Sequence, residues 1–405
     1  MADAGIVIIG GGQAAASAIA EIRKHNSDVP VTLVTDEPVL PYQRPPLSKA
    51  YLKGELEVER LLLRPRDWYD DNNIAIRDSL RIESLDREAQ TINAYDGTVL
   101  SYDRLLLATG ARPRRLPPEM GGHFEGVFVL RSKRHADGLA SAFATGEKLV
   151  VIGGGYVGLE VAAVAAQAGK QVAVVEMADR ILQRVASPET SAFYRHLHES
   201  HGVRLLEGTG ISELTGQGGR VTGAKLSDGE YVEADTVLVG IGVTPRSDLA
   251  EMAGLHIENG IAVDGDCCTS APAIFAAGDC ASIVLRDERT RIESVPNAIQ
   301  QGEAAARAML GLPADYQPKP WFWSDQYDVK LQIAGLNAGY DSTVTRPGKR
   351  EGSQSVWYYG GEQLLAVDAM NDAPSFMMAR RILEAGGNVP KGAAADPTSN
   401  LKEFA

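Results

Sequence analysis

Cysteine is scarce in this chain of 405 residues. There are three, Cys267, Cys268 and Cys280, and no CxxC or CxxxxC spacing among them. Sequence neighbours are badly placed to bridge each other, so no disulfide framework is expected and a reducing compartment fits. Positive charge is also in deficit. The formal net charge is −13, which argues against a nucleic-acid partner, although net charge does not locate local basic patches. No uninterrupted apolar run approaches the ~18 residues of a membrane span. The opening MADAGIVIIGGG has no basic segment ahead of a long apolar core, so no secretory signal is expected. What remains is the composition of an ordinary soluble globular protein, 44% hydrophobic and 23% charged, with a cytoplasmic location and two or three domains as the expectation.

The 42 glycines imply many tight turns, and they mark a repeat. GIVIIGGG reads as a strand ending in a glycine turn, QAAASAIAEIRKH as a helix, and VPVTLVTDE as a strand ending in acid. The order returns as KLVVIGGG, YVGLEVAAVAAQAG and KQVAVVE. Each copy has a later echo, YDRLLLATGARPR and ADTVLVGIGVTPR, in which an apolar strand runs into a glycine turn and then Pro. Such a divergent pair predicts two dinucleotide-binding units in an α/β protein. PAIFAAGDCA is a further buried strand, NAIQQGEAAARAML an amphipathic helix, and the alternating, aromatic stretch from about residue 318 predicts a separate C-terminal α+β domain. The Gly/Pro/Ala-rich tail GGNVPKGAAADPTSNLKEFA is expected to run extended along the surface.

The first unit has G-x-G-x-x-A in Gly10, Gly12 and Ala15, around Gln13 and Ala14. Gly10 would permit the turn, Gly12 a close approach to pyrophosphate, and Ala15 tight packing of helix on strand. The helix N-terminus then offers free N–H groups and a favourable dipole. Asp36 or Glu37, ending the second strand, would hold a ribose hydroxyl. The second unit has the full G-x-G-x-x-G in Gly153, Gly155 and Gly158, and Glu176 ends its second strand. A carboxylate there accepts from the ribose 2′-OH and repels a 2′-phosphate, which predicts NADH over NADPH; Arg180 and Arg184 nearby weaken that preference. Two dinucleotides on one chain most simply mean FAD plus a nicotinamide.

YQRPPLSKAYL, LLLATGARPR, VVIGGGYVGLEVAA, SAFYRHLHESHGV, AAGDCA, RIESVPNAIQQ and PWFWSDQYDVKLQIAGL together resemble the putidaredoxin-reductase family. These are the FAD-dependent, NADH-oxidising ferredoxin reductases that serve bacterial cytochromes P450 and ring oxygenases. The likeness runs from residue 5 to about residue 385. It implies a glutathione-reductase-like architecture: an FAD domain at 1–112 and 245–318, an NAD domain at 113–244, and a C-terminal α+β domain at 319–405 that covers the flavin and contributes to ferredoxin docking. The implied activity is hydride transfer from NADH to flavin N5, then single-electron transfer to a [2Fe–2S] ferredoxin, by a monomer or homodimer.

The resemblance also assigns residues. Lys49, in the proline-stiffened loop, would lie beside N5 and pair with Glu160; the prolines would hold it in place. Arg44 would face the FAD phosphates or ribose, Asp279 the ribityl chain, Val295 the pyrimidine edge, and Arg131 the phosphate or adenosine part. Ile82, Ala108, Thr109 and Gly110 complete the FAD set. Tyr156 would cover the flavin when nicotinamide is absent, with Glu160 near the nicotinamide, Trp323 close to either ring, and Val157, Arg184 and Gly242 in the NAD set. Trp321 and Phe322 are expected in core or interface. His196, His198 and His201 are expected to be ordinary histidines, and no metal is expected. Lys330, Arg346, Lys349, Arg350, Arg380, Arg381 and Lys402 are the basic candidates for steering an acidic ferredoxin. The first unit's helix lacks the cysteine pair of disulfide-type flavin reductases, which disfavours a thiol relay and the oxidase branch. A rubredoxin reductase, or an NADH-sensing flavoprotein like apoptosis-inducing factor, remains the alternative.

Overall fold

The computed structural model describes residues 4–314 and 316–404. The chain divides into two compact units. One comprises the chain up to Arg44, Glu57–Arg112 and Thr244–Pro320; the other comprises Pro45–Leu56, Pro113–Val243 and the chain from Trp321 onward.

The first unit is built on a five-stranded parallel sheet in the order Ile274–Ala276, Arg104–Leu107, Ile6–Ile9, Val31–Val34, Ile74–Arg77. Its central strand is buried on both faces, which is why it reads as an unbroken run of Ile and Val. Ile9 pairs with Val34 on one side and Leu107 on the other. The helix Gln13–His25 packs on the helix Val295–Met309. A Cβ at Gly302 would sit 2.4 Å from the carbonyl oxygen of Ala14, so the two backbones meet where only glycine fits.

The second unit repeats this plan. Its parallel sheet runs Arg204–Glu207, Gln171–Glu176, Lys148–Ile152, Thr236–Val239, Val127–Phe128. Read from the other edge, that is the order of the first sheet: an outer strand, the echo, the glycine-motif strand, the acid-ended strand, and one more. In both, the carboxyl end of the motif strand lies between the acid-ended strand and the echo, where open α/β sheets take ligands.

The same unit carries a five-stranded antiparallel sheet in the order Trp321–Gln326, Val329–Gly335, Gln363–Met370, Gln354–Gly360, Ser342–Pro347, covered by the helix Ala373–Glu384. The tail is not extended along the surface. It forms the helix Lys391–Ala395 and the turn Leu401–Phe404, and it buries Val389, Ala394 and Leu401. The reason is Arg346. It is 7% exposed, and its guanidinium donates to the carbonyls of Ala393, Ala394, Asp396, Pro397 and Ser399. A residue expected to steer ferredoxin is instead the clamp of the tail.

Candidate functional sites: two glycine cradles and a buried ion pair

In the first unit the strand Ile6–Ile9 runs into Gly10, whose φ is +129°. A Cβ there would lie 2.1 Å from the carbonyl oxygen of Ala108, so this position admits no side chain. Two residues on, a Cβ at Gly12 would meet nothing within 4 Å. The second unit gives the same pair of answers. Gly153 has φ +102°, and its Cβ would lie 2.6 Å from the carbonyl oxygen of Gly240, whereas Gly155 faces open space. Gly158 is closed by Gly153, whose carbonyl oxygen would be 2.4 Å from its Cβ. Ala15, its counterpart, is fully buried. Each motif therefore has one glycine jammed against the echo strand and one bordering empty space.

The helices behind these glycines begin without side-chain caps. Of the six helices with twelve or more residues among the described residues, four are capped by Ser132, Ser187, Ser294 or Asp372. The two without a side-chain cap start at Gln13 and Tyr156, after Gly12 and Gly155. Their first turns have no side-chain cap and follow a glycine bordering open space, the arrangement that binds a phosphate. Both cradles fit a dinucleotide.

The first unit's two acids, which the sequence left as alternatives, have different partners. Asp36 pairs with Arg246 at 3.1 Å. Glu37 accepts from the Tyr42 hydroxyl at 2.6 Å and from Arg44 at 2.7 Å, with the guanidinium also over the Tyr42 ring. The negative charge of Asp279 also acts on Arg44. Thr109 donates to the carbonyl of Arg246 at 2.6 Å, and the carbonyl of Gly110 accepts from the Arg246 backbone at 2.9 Å. Arg246, unremarked in the sequence, thus joins the echo turn to Asp36. Ile82 starts the strand Ile82–Asp86 against the core, and Val295 is the first residue of its helix.

In the second unit the Glu176 carboxylate accepts from the backbone N–H of Gly154 at 2.7 Å and of Ala178 at 2.8 Å. This fixes its position beside the cradle while lone pairs remain for a ribose. Arg180 is turned away, donating to the Ser187 carbonyl and the Ser191 hydroxyl. Arg184 is exposed, as is Gly242. Val157, Met177 and Ile241 are large apolar residues left in solvent, one at the helix start and one just past each flanking strand. The resemblance already names Val157; exposure alone singles out Met177 and Ile241. Arg131 lies in this second unit, just ahead of the Ser132 cap.

The proline-stiffened loop forms the turn Pro45–Ser48. It returns Lys49 so that its ammonium donates to the Pro45 carbonyl at 3.3 Å and meets Glu160 at 2.7 Å. Glu160, on the cradle helix, is 4% exposed. Its carboxylate also accepts from Ser48 at 2.5 Å and from Ser324 at 2.7 Å. A buried ion pair adds little net stability, because desolvation offsets the attraction, but it fixes geometry when its remaining lone pairs are filled. The two serines fill them, and the sequence reading missed both. Phe322, expected only to pack, has its ring 5.0 Å from that of Tyr156, while Trp323 lies against Trp321 and Phe322.

Tyr156's buried hydroxyl has no hydrogen-bond partner, and neither does that of Tyr194. Burial, with the charge of Asp368 behind it, holds both phenols well above their ordinary range. Burial likewise pushes Asp368 up to about 6, against donation from Tyr358 and Thr190. Cys267 and Cys280 are fully buried, and burial pushes both thiols up, so neither is a ready thiolate.

Residues 4–302 match the family described as pyridine nucleotide-disulphide oxidoreductase, and residues 321–405 match the one described as reductase C-terminal. The chain is 42% identical to rhodocoxin reductase of Rhodococcus erythropolis over 98% of its own length and 93% of that protein's. It superposes on putidaredoxin reductase in its covalent complex with putidaredoxin with a TM-score of 0.94, at 39% identity, covering 98% of this chain and 97% of that one. Against the ferredoxin reductase for the CYP199A2 system from Rhodopseudomonas palustris the TM-score is 0.95, at 39% identity and 99% coverage of both chains.

Proposed function

The chain belongs to the pyridine nucleotide-disulphide oxidoreductase family, and from that premise we propose that it is an NADH-dependent ferredoxin reductase of the kind that feeds a cytochrome P450 or ring oxygenase. The observation that carries the reading is the pair of open glycine cradles, one per unit, each backed by a helix with no side-chain cap. FAD, when bound, supplies what no side chain can, accepting a hydride from NADH and releasing electrons singly.

The first cradle is the FAD site of this proposal. Gly12, Gln13, Ala14 and Ala15 would receive the pyrophosphate, and Glu37 with Arg44 and Asp279 would border it. Ile82, Ala108, Thr109, Gly110 and Val295 would line the rest, and Arg131 stays a candidate of the FAD set. The second cradle is the NADH site. Gly155, Tyr156 and Val157 would offer N–H groups, Glu176 would bind the ribose, and Met177 and Ile241 would be covered by the bound nucleotide. Arg184 and Gly242 would border it. Lys49 is the positive group that favours a reduced, anionic flavin. Glu160 holds it in place, and Trp323 completes that surface. With Cys267 and Cys280 buried, Cys268 half-buried and all three unpaired, the cysteines offer no disulfide relay, so electrons would leave directly to the protein acceptor.

That acceptor is a [2Fe–2S] ferredoxin. Lys330, Lys349, Arg350, Arg381 and Lys402 are exposed and available to steer it. Arg380 is half-buried, pairs with Glu384 and lies over Trp321. The same reading assigns residues 1–112 and 245–318 to FAD, 113–244 to NAD and 319–405 to flavin cover and docking, in a cytoplasmic protein. Among the described residues no helix is long and apolar enough to cross a membrane. Steady-state reduction of a [2Fe–2S] ferredoxin tests the proposal. NADH should drive it better than NADPH. NADH oxidation that leaves every such ferredoxin oxidised would contradict it.

A further inference from the structure

A line of hydrogen bonds leaves the Lys49–Glu160 pair on the side away from the loop, entirely within the second unit. Ser324 donates to Glu160 at 2.7 Å, and Gln326 donates to the Ser324 hydroxyl oxygen at 3.2 Å. The Gln326 amide oxygen is 2.8 Å from Nε2 of His198, and Nδ1 of His198 is 3.3 Å from the Tyr327 hydroxyl. Ser324, Gln326 and His198 are all at most 1% exposed. The strand Trp321–Gln326 alternates, so Ser324 and Gln326 share one face, and His198 meets them from the helix Pro188–Ser200.

The chemistry of these groups gives the line one direction. A carboxylate can only accept, so the single Ser324 proton goes to Glu160. The serine oxygen then takes its donor from the Gln326 NH2, which turns the amide oxygen toward His198. That oxygen needs a donor, so His198 must carry its proton on Nε2. Nδ1 is left to accept from Tyr327. The ring of His201 stacks on Tyr327 at 3.7 Å and closes the far end. An amide does not pass protons readily, so the line orients groups and is no proton wire.

We propose that Gln326 and His198 are positioning residues for the Lys49–Glu160 pair: through Ser324 they hold the Glu160 carboxylate in the one orientation that presents its other oxygen to Lys49. The inference rests on the reading of Lys49 given above. Burial lowers His198 to about 4, which keeps the ring neutral, as the line requires. The other groups facing the pair are Lys53 from the loop, Asp325 on the strand and Tyr327 just past its end. These line, with Glu160, a small cleft of about 70 Å³. Tyr194 also senses the Glu160 charge, and His198 that of His201.

Two measurements test this. Nitrogen-15 NMR of histidine-labelled holoprotein reads the His198 tautomer with neither NADH nor ferredoxin present. A neutral ring protonated on Nε2 from pH 5 to 8 is expected; a ring protonated on Nδ1, or a charged ring, would overturn the proposal. The second measurement is the rate at which NADH bleaches the flavin. His198→Phe keeps a ring but no donor, and Gln326→Leu keeps volume but no amide. Each should slow bleaching by roughly 3- to 10-fold, with the double variant no worse than the slower single, because both break one line. His198→Gln places an amide donor where Nε2 was and should restore most of the rate. Equal rates in folded His198→Phe and native protein, or no rescue by His198→Gln, would also overturn it. Native protein that binds flavin but is not bleached by NADH would remove the function reading, while the tautomer would still decide the line.

Discussion

Replacing Glu160 by Gln changes one oxygen to an NH2 and leaves volume and shape intact, so its cost measures the carboxylate's charge and its hydrogen bonds rather than packing. Three donors converge on the native carboxylate: Lys49 at 2.7 Å and Ser48 at 2.5 Å on one oxygen, and Ser324 at 2.7 Å on the other. An amide has one acceptor atom. If its oxygen faces Lys49, its NH2 faces the Ser324 hydroxyl, whose accepting side Gln326 already occupies. If it is flipped, the NH2 faces an ammonium that cannot accept. Either way one buried donor loses its partner, at about 1–3 kcal/mol, and Lys49 becomes an unpaired, largely buried charge. Glu160→Gln should therefore lose about 2–4 kcal/mol, and Glu160→Ala about 3–5 kcal/mol, the range for breaking a buried pair. Urea unfolding followed by far-UV circular dichroism reads the difference. With Lys49→Met present, the Gln substitution should cost about 1–2 kcal/mol less, because the stranded ammonium is gone. A Glu160→Gln protein within 0.5 kcal/mol of native would refute the argument that the pair is built by three mutually dependent donors.

Other expectations follow from the same geometry. Gly10→Ala should fail to hold flavin, because its Cβ would strike the Ala108 carbonyl at 2.1 Å; Gly12→Val should fold but lose bound flavin, since it fills only the open side. Flavin absorbance after gel filtration, with circular dichroism for folding, separates the two. Glu176→Gln should narrow the preference for NADH over NADPH by about tenfold, the worth of ~1.4 kcal/mol, read as the ratio of kcat/KM values; an unchanged ratio would refute the ribose role. Asp368 is raised to about 6 from 3.8, so the native fold holds its proton over that window and stability falls as pH rises through it. Asp368→Asn should therefore gain on the native protein by about 2 kcal/mol between pH 4.5 and pH 7.5, in matched urea titrations.

The glycine cradles were legible because a missing Cβ is a property of the sequence itself: Gly10 and Gly153 are where only glycine fits, and spacing then locates Gly12 and Gly155. Lys49 and Glu160 were paired through a motif likeness, and the pair exists at 2.7 Å. Ser48 and Ser324 were invisible because serine is unremarkable in composition, and Ser324 lies 164 residues from the carboxylate it serves. Arg346 was misread for the opposite reason. Sequence shows a charge but not its burial, and five carbonyls of a tail that looked extended take up this guanidinium. The different partners of Asp36 and Glu37 were also invisible in the sequence, since adjacent acids differ only in which arginine each one meets.

The central claim is that two nucleotide cradles serve one electron path from NADH to an iron–sulfur protein. The most direct test is anaerobic. Purified protein is mixed with one equivalent of NADH and then with an oxidised [2Fe–2S] ferredoxin, while flavin and cluster absorbance are followed in time. The account predicts rapid flavin bleaching, then cluster reduction as the flavin colour returns. Protein that holds no flavin, or a reduced flavin that persists as a charge-transfer complex and never reduces a cluster, would contradict it.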